Sequence, residues 1–213
     1  MDKTQEINIA KYELPEIDHS ISMPSQDMLD NRREPLIGVA LEILRKNGSI
    51  SVLDAGCGTG FALFELKDEL LHRTGNKHNP SIVQATGISL EDYSQKSENR
   101  FAREAIKNQY SNYIVDDLSS VNLIQESIDL CWSHEVLIHN SNEKIVKIIN
   151  NILPAIKPNG YFYFNLNPDQ RNSPEVSSVI QDLKEKDNYV YEYSKEDRYY
   201  NEKRIFVMIK KKI

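Results

Sequence analysis

The feature that most constrains this chain is a short run, Val52-Leu53-Asp54-Ala55-Gly56-Cys57-Gly58-Thr59-Gly60. An apolar stretch ends at an acid, three alternating glycines follow, and a helical pattern begins at Phe61. Glycine lets the backbone turn sharply and lets a ligand come close to it. A strand, a glycine turn and a helix open a parallel sheet, whose ligands lie beyond the strands' carboxyl ends where strand order reverses. Two nucleotide-loop readings fail on spacing. The dinucleotide fingerprint G-x-G-x-x-G needs a third glycine where Phe61 stands. A phosphate loop needs Gly-Lys-Ser/Thr behind the turn, and none follows. The plain alternative is a turn that serves packing alone.

The rest of the chain alternates in the same way. Pro35 suits a first helical position, and Leu36, Val39, Ala40, Ile43 and Leu44 follow at helical spacing, with Asn47-Gly48 as the stop. Strands are expected at 51–55, 82–88, 113–115, 128–132 and 160–166. Helices are expected at 61–73, 90–109 and 142–156. This alternation implies a mostly parallel sheet with helices on both faces. The end differs: a helix over 174–186, then strands at 189–193 and 205–210 with no helix between them, which predicts an antiparallel hairpin at one edge. Residues 1–34 are polar, lack a clear period and carry Pro15 and Pro24. They read as an appendage and a candidate substrate lid, ahead of one domain over 35–213.

At 213 residues, with 39% hydrophobic and 27% charged positions, the composition fits a soluble globular domain and excludes collagen-like, mucin-like or wholly disordered classes. Lys and Arg number 26 against 32 Asp and Glu, for a net charge of −6. A dominant phosphate-binding surface, and so a nucleic-acid partner, is disfavoured. Cys57 and Cys131 make neither a disulfide framework nor a metal motif, and no metal is expected. No apolar run has the character of a secretion signal or the length of a membrane span. The expectation is a cytoplasmic protein with no membrane partner.

The acid followed by G-x-G-x-G resembles motif I of the class I S-adenosylmethionine-dependent methyltransferases, and the likeness extends over roughly residues 36–211. Tyr113-Ile114-Val115-Asp116-Asp117-Leu118 looks like that family's third strand with the acid that meets adenine. Ile128-Asp129-Leu130-Cys131-Trp132-Ser133 resembles its fourth strand, Val136-Leu137-Ile138-His139 the segment behind it, and Leu153 to Gly160 the turn before the fifth. The resemblance implies an α/β, Rossmann-like sheet of seven mostly parallel strands with an antiparallel C-terminal hairpin. It implies S-adenosylmethionine as cofactor and S-adenosylhomocysteine as product. One position departs from the family pattern: Ser89 stands where an acidic residue commonly holds the ribose hydroxyls, and Glu91 is a candidate to compensate.

Carried onto this chain, the resemblance assigns the cofactor to Asp54, Gly56, Cys57, Gly58, Gly60, Ser89, Leu90, Asp117, Leu118 and Ser133. Asp54 would accept from the cofactor's amino group and Asp117 from the adenine amine. The plain alternatives are an acid that caps the turn and a solvated loop acid, and the thiol of Cys57 also reads as a small packing group. His139 and His134 are the candidate proton acceptors, His139 first, because neutral imidazole suits that work near pH 7. A loop-shaping hydrogen bond is the alternative for His139. Tyr12, Trp132, His134 and Tyr161 are the candidate acceptor pocket, with core packing as the alternative for the rings. The expected activity is methyl transfer to oxygen or nitrogen of a small-molecule acceptor, by a chain that a homodimer would suit. The rivals are a protein or RNA methyltransferase, a non-catalytic cofactor-binding subunit of a methyltransferase complex, and a nicotinamide oxidoreductase, which Phe61 and Asp54 weigh against.

Overall fold

The computed structural model describes residues 26–58, 60–93, 111–186, 188–197 and 202–212. The chain divides into two compact units, Met1–Glu34 and Pro35–Ile213. In the first, the described residues 26–34 are helical.

The first described helix, α1, spans Gln26–Asn47, so it begins before the expected start at Pro35. A proline removes one backbone hydrogen bond from a helix interior, and the polar residues ahead of it carry no apolar period that would have announced a helix. From Leu36 onward the expected face is buried, through Ile37, Ala40, Leu41 and Leu44. The stop is as expected: Gly48 takes φ 75°, and its N–H donates to the Leu44 carbonyl at 2.8 Å.

Seven strands form one sheet: β1 Ile50–Ala55, β2 Val83–Ser89, β3 Asn112–Val115, β4 Ile128–Ser133, β5 Ile156–Leu166, β6 Tyr189–Asp197 and β7 Glu202–Lys210. Their order is β3-β2-β1-β4-β5-β7-β6. The first five run parallel. Strands β7 and β6 close the edge antiparallel. The expected fold class therefore holds. Helices α2 Phe61–Arg73, α3 Asn142–Ile152, α4 Pro168–Asn172 and α5 Pro174–Glu185 complete the described α-helices, while most of the helix expected over 90–109 lies outside the described residues.

Alternate strand residues serve two separate cores, as expected for a sheet covered on both faces. Val52, Leu130, Trp132 and Tyr163 pack with Leu36, Ala40 and Leu44 of α1 and Leu63, Leu66 and Leu70 of α2. Leu53, Cys131, Phe162 and Phe164 pack with Ile145, Ile148, Ile149 and Ile152 of α3 and Val176 and Ile180 of α5. The helix expected over 142–156 stops at Ile152. Leu153–Ala155 forms a 3-10 turn, because Pro154 cannot donate to a further helical turn. Strand β5 correspondingly starts at Ile156 rather than Gly160, with Ile156 already paired to Ile128.

Candidate active site

The strand order reverses between β1 and β4. The chain steps from β1 outward to β2 and β3, then returns to place β4 on the other side of β1. The crevice beyond the carboxyl ends of these two strands is where an open α/β sheet holds its ligand. Asp54 and Trp132 face each other in register at this level. Asp54 is buried at 6% exposure.

The glycine turn follows at once. Gly56, Gly58 and Gly60 adopt φ 86°, 51° and 74°, a region that side-chain-bearing residues rarely occupy. The N–H groups of Gly56 and Cys57 both donate to the Ile88 carbonyl, at 2.8 and 2.9 Å, which pins the turn to the end of β2. A Cβ on Gly56 would fall 2.3 Å from the side chain of Val136, whereas one on Gly58 would meet nothing within 4 Å. Gly56 is thus required by the segment resting on it, and Gly58 faces open space. Cys57 is buried, consistent with a small packing residue.

At the end of β2, Ser89 is buried and its hydroxyl accepts the Glu91 N–H at 3.4 Å. Leu90 beside it stands 64% exposed. Behind β3, the carboxylate of Asp117 is tightly held. Its Oδ1 accepts from the N–H and hydroxyl of Ser119, at 2.9 and 2.8 Å, and its Oδ2 accepts from Lys144 Nζ at 2.7 Å. The lysine bond, followed by the Ser119 N–H, lowers its pKa from the ordinary 3.8 to about 2. A carboxylate offers about four acceptor sites, so room for one further donor remains. Leu118 is buried, and Asn151 of α3 donates to the carbonyls of Leu118 and Val121 at 3.0 and 2.9 Å.

At the end of β4, Ser133 is fully buried and its hydroxyl has no hydrogen-bond partner. The His134 ring stacks on Phe206 at 6.3 Å between centroids and meets Trp132 edge-on at 6.3 Å. Phe206 also stacks on Tyr163 at 5.9 Å. His139 closes the 3-10 turn Leu137–His139 and is exposed.

The profile of the methyltransferase-domain family matches residues 46–206, more than half of the chain. The chain belongs to that family. It is an S-adenosylmethionine-dependent methyltransferase of class I. Solved structures share its fold at low identity. A methyltransferase from Methanosarcina mazei has a TM-score of 0.52 and 18% identity over 78% of this chain and 93% of the other. The magnesium protoporphyrin IX methyltransferase of Synechocystis, solved with bound S-adenosylmethionine, has a TM-score of 0.55 and 15% identity over 89% and 86%. The N-methyltransferase NodS of Bradyrhizobium japonicum has a TM-score of 0.55 and 17% identity over 86% and 99%. No curated protein matches the chain in sequence.

The residues of this methyltransferase fit its cofactor. The turn is open above Gly58, a buried carboxylate of the charge that an ammonium group requires stands at the end of β1, and apolar Leu90 and Leu118 adjoin the acids behind β2 and β3. Among the described residues, no group of three or more His, Cys, Asp or Glu could hold a metal, and no helix is long and apolar enough to cross a membrane. Tyr161, expected in the acceptor pocket, does not reach the carboxyl edge. It pairs with Leu130, two residues below the Trp132–Tyr163 level, and Lys210 Nζ lies 5.3 Å over its ring. Tyr12 lies outside the described residues. Sequence reasoning passed over Lys144 and Asn151, which set the loop behind β3, and over Val136, Glu135, Asn165 and Arg204. The one local signal for Asn165 was a lone polar residue within the apolar strand Phe162-Tyr163-Phe164-Asn165-Leu166.

Asp117 makes a checkable prediction. Its folded pKa lies below that of an unfolded aspartate, so its contribution to stability is present above about pH 4 and disappears as pH falls through the folded value near 2. In Lys144→Met, carboxyl NMR should find the Asp117 pKa moved back toward the ordinary range. The stability gap between wild type and variant should narrow from pH 4 to pH 2. An unmoved Asp117 pKa would show that the lysine bond is absent in solution.

Proposed function

We propose that this methyltransferase carries a methyl group to an oxygen or nitrogen of a small-molecule acceptor, in the crevice beyond the ends of β1 and β4. The observation that supports the reading is the packing of Val136 against Gly56, which brings the segment behind β4 up to the glycine turn. Bound S-adenosylmethionine supplies an electrophilic methyl group on a sulfonium. Asp54, Gly56, Cys57, Gly58, Gly60, Ser89, Leu90, Asp117, Leu118 and Ser133 would hold and orient it. Methyl transfer needs alignment and exclusion of water above all. The His134 ring, packed on the buried rings of Trp132 and Phe206, would border that site, and His139 or His134 would accept the acceptor's proton. A net charge of −6 supports a small molecule over nucleic acid, and the fold-level likeness to two enzymes named for small-molecule or N-methylation chemistry points the same way.

The test is thermal unfolding with S-adenosylmethionine, S-adenosylhomocysteine and NAD. The adenosyl compounds should stabilise the protein by about 2.7 kcal/mol at a hundredfold excess over Kd, and NAD should not. A shift with NAD alone would refute the assignment. Mass screening of small amines and alcohols for a methyl-sized gain then tests the acceptor class.

A further inference from the structure

Ser89 is the last residue of β2 and is 4% exposed. The carbonyl of Ile88, its chain neighbour, takes the N–H groups of both Gly56 and Cys57, which brings Ser89 up to the glycine turn. A hydroxyl has one proton to give and two lone pairs that accept. How Ser89 spends them is set by the chain just behind it and by one residue of β3.

That residue is Tyr113, which stands opposite Gly87 in the register of β2 and β3. Its hydroxyl donates to the Glu91 carbonyl at 3.0 Å and accepts the Tyr93 N–H at 3.3 Å. Burial, followed by the nearby Cys57 thiol, raises the phenol's pKa above its ordinary 10, so the group is protonated at neutral pH. Its single proton is therefore spent on Glu91. Tyr113 and Ser89 also share a side-chain hydrogen bond. Tyr113 has no second proton, so that bond runs one way: the Ser89 hydroxyl donates and the Tyr113 oxygen accepts. Ser89 in turn accepts the Glu91 N–H at 3.4 Å. This leaves Ser89 one lone pair and no proton.

We propose that Tyr113 is a positioning residue for the cofactor, and that by taking the Ser89 proton it makes the Ser89 hydroxyl a one-way acceptor for a ribose O–H of the adenosyl group. Ser89 then offers what a carboxylate offers, acceptance without donation, and no charge has to be buried to provide it. The arrangement selects ligands whose sugar can donate at this point. The inference rests on the methyltransferase reading above and adds to it a residue of β3 that acts through Ser89.

The test is calorimetry with S-adenosylhomocysteine and its 2′-deoxy and 3′-deoxy analogues, which needs no acceptor. Wild type should bind S-adenosylhomocysteine about tenfold more tightly than at least one deoxy analogue, the worth of one hydrogen bond in a buried site. Tyr113→Phe keeps the ring and removes the hydroxyl. It should weaken S-adenosylhomocysteine about fivefold and leave that deoxy analogue within about twofold of its wild-type affinity, so the preference shrinks. In Ser89→Ala the preference should already be lost, and adding Tyr113→Phe should change each affinity by no more than about twofold. An equal loss for all three ligands in Tyr113→Phe would make Tyr113 a mere brace of the chain behind β2 and overturns the proposal. So does an unchanged preference in that variant, or the same loss with and without the Ser89 hydroxyl. A wild type that binds S-adenosylhomocysteine and both deoxy analogues alike overturns it too, with the methyltransferase reading intact. If wild type binds none of the three, that reading fails, and this inference falls with it.

Discussion

Gly56→Ala should cost this methyltransferase both stability and cofactor affinity, whereas Gly58→Ala should cost chiefly affinity. At Gly56 the new Cβ would lie 2.3 Å from the Val136 side chain, on a backbone at φ 86°. The left-handed conformation and the overpacking together amount to about 2–5 kcal/mol, a large share of a typical domain's stability. The clash also pushes the segment behind β4 off the turn, which should lower S-adenosylhomocysteine affinity by at least about tenfold, the equivalent of a lost contact of 1.4 kcal/mol. At Gly58 the backbone strain remains, but nothing beyond its chain neighbours lies within 4 Å of the new Cβ, so the methyl group enters the space that the proposed cofactor would use. Denaturant melts and calorimetry separate the two effects. In the double variant Gly56→Ala/Val136→Ala, relief of the clash should restore part of the stability, seen as a coupling energy between the two sites. Strictly additive losses would mean that Val136 does not rest on the turn in solution.

His139→Ala is expected to slow turnover by roughly 10²- to 10⁴-fold, the usual loss on removing a general base, while S-adenosylmethionine affinity stays near wild type. His139 is exposed at the end of its short turn, so its removal should leave the melting temperature almost unchanged. His134→Ala is a different experiment, because that ring stacks on Phe206 and meets Trp132. It should lose about 0.5–1.5 kcal/mol of stability through the ring contacts alone, and its rate has to be read against that loss. Full turnover in both variants would exclude a histidine base and point to an acceptor that reaches the enzyme already deprotonated.

What the sequence disclosed and what it withheld divide along a physical line. The glycine turn was legible because its information is local: adjacent residues, positive φ, and a strand and helix of clear period on either side. The parallel sheet was legible because apolar runs alternate with helical faces. Glu135, Asn165 and Arg204 were not, because they meet only through the register of β4, β5 and β7, in which Ser133 pairs with Phe164 and Asn165 with Phe206. The same register removes Tyr161 from the expected pocket, since an aromatic run along β5 does not reveal which ring lies at the carboxyl edge. The early start of β5 was hidden by Lys157-Pro158-Asn159, which read as a loop. In the fold, Asn159 takes φ 65° and donates its N–H to the Lys211 carbonyl at 2.8 Å.

The attachment of the loop behind β3 to α3 has a thermodynamic consequence. Lys144 and Asn151 stitch that loop to the helix with three side-chain hydrogen bonds, and α3 buries Ile145, Ile148, Ile149 and Ile152 in the core. The loop is therefore already ordered before any ligand arrives. Fixing the backbone of a free residue costs about 1–2 kcal/mol, and here folding has borne that cost in advance. A ligand that meets Asp117 and Leu118 keeps nearly all of its contact energy as affinity. On the proposed reading, the adenine end of the crevice is a rigid template, and adaptation to different acceptors falls to the segment behind β4.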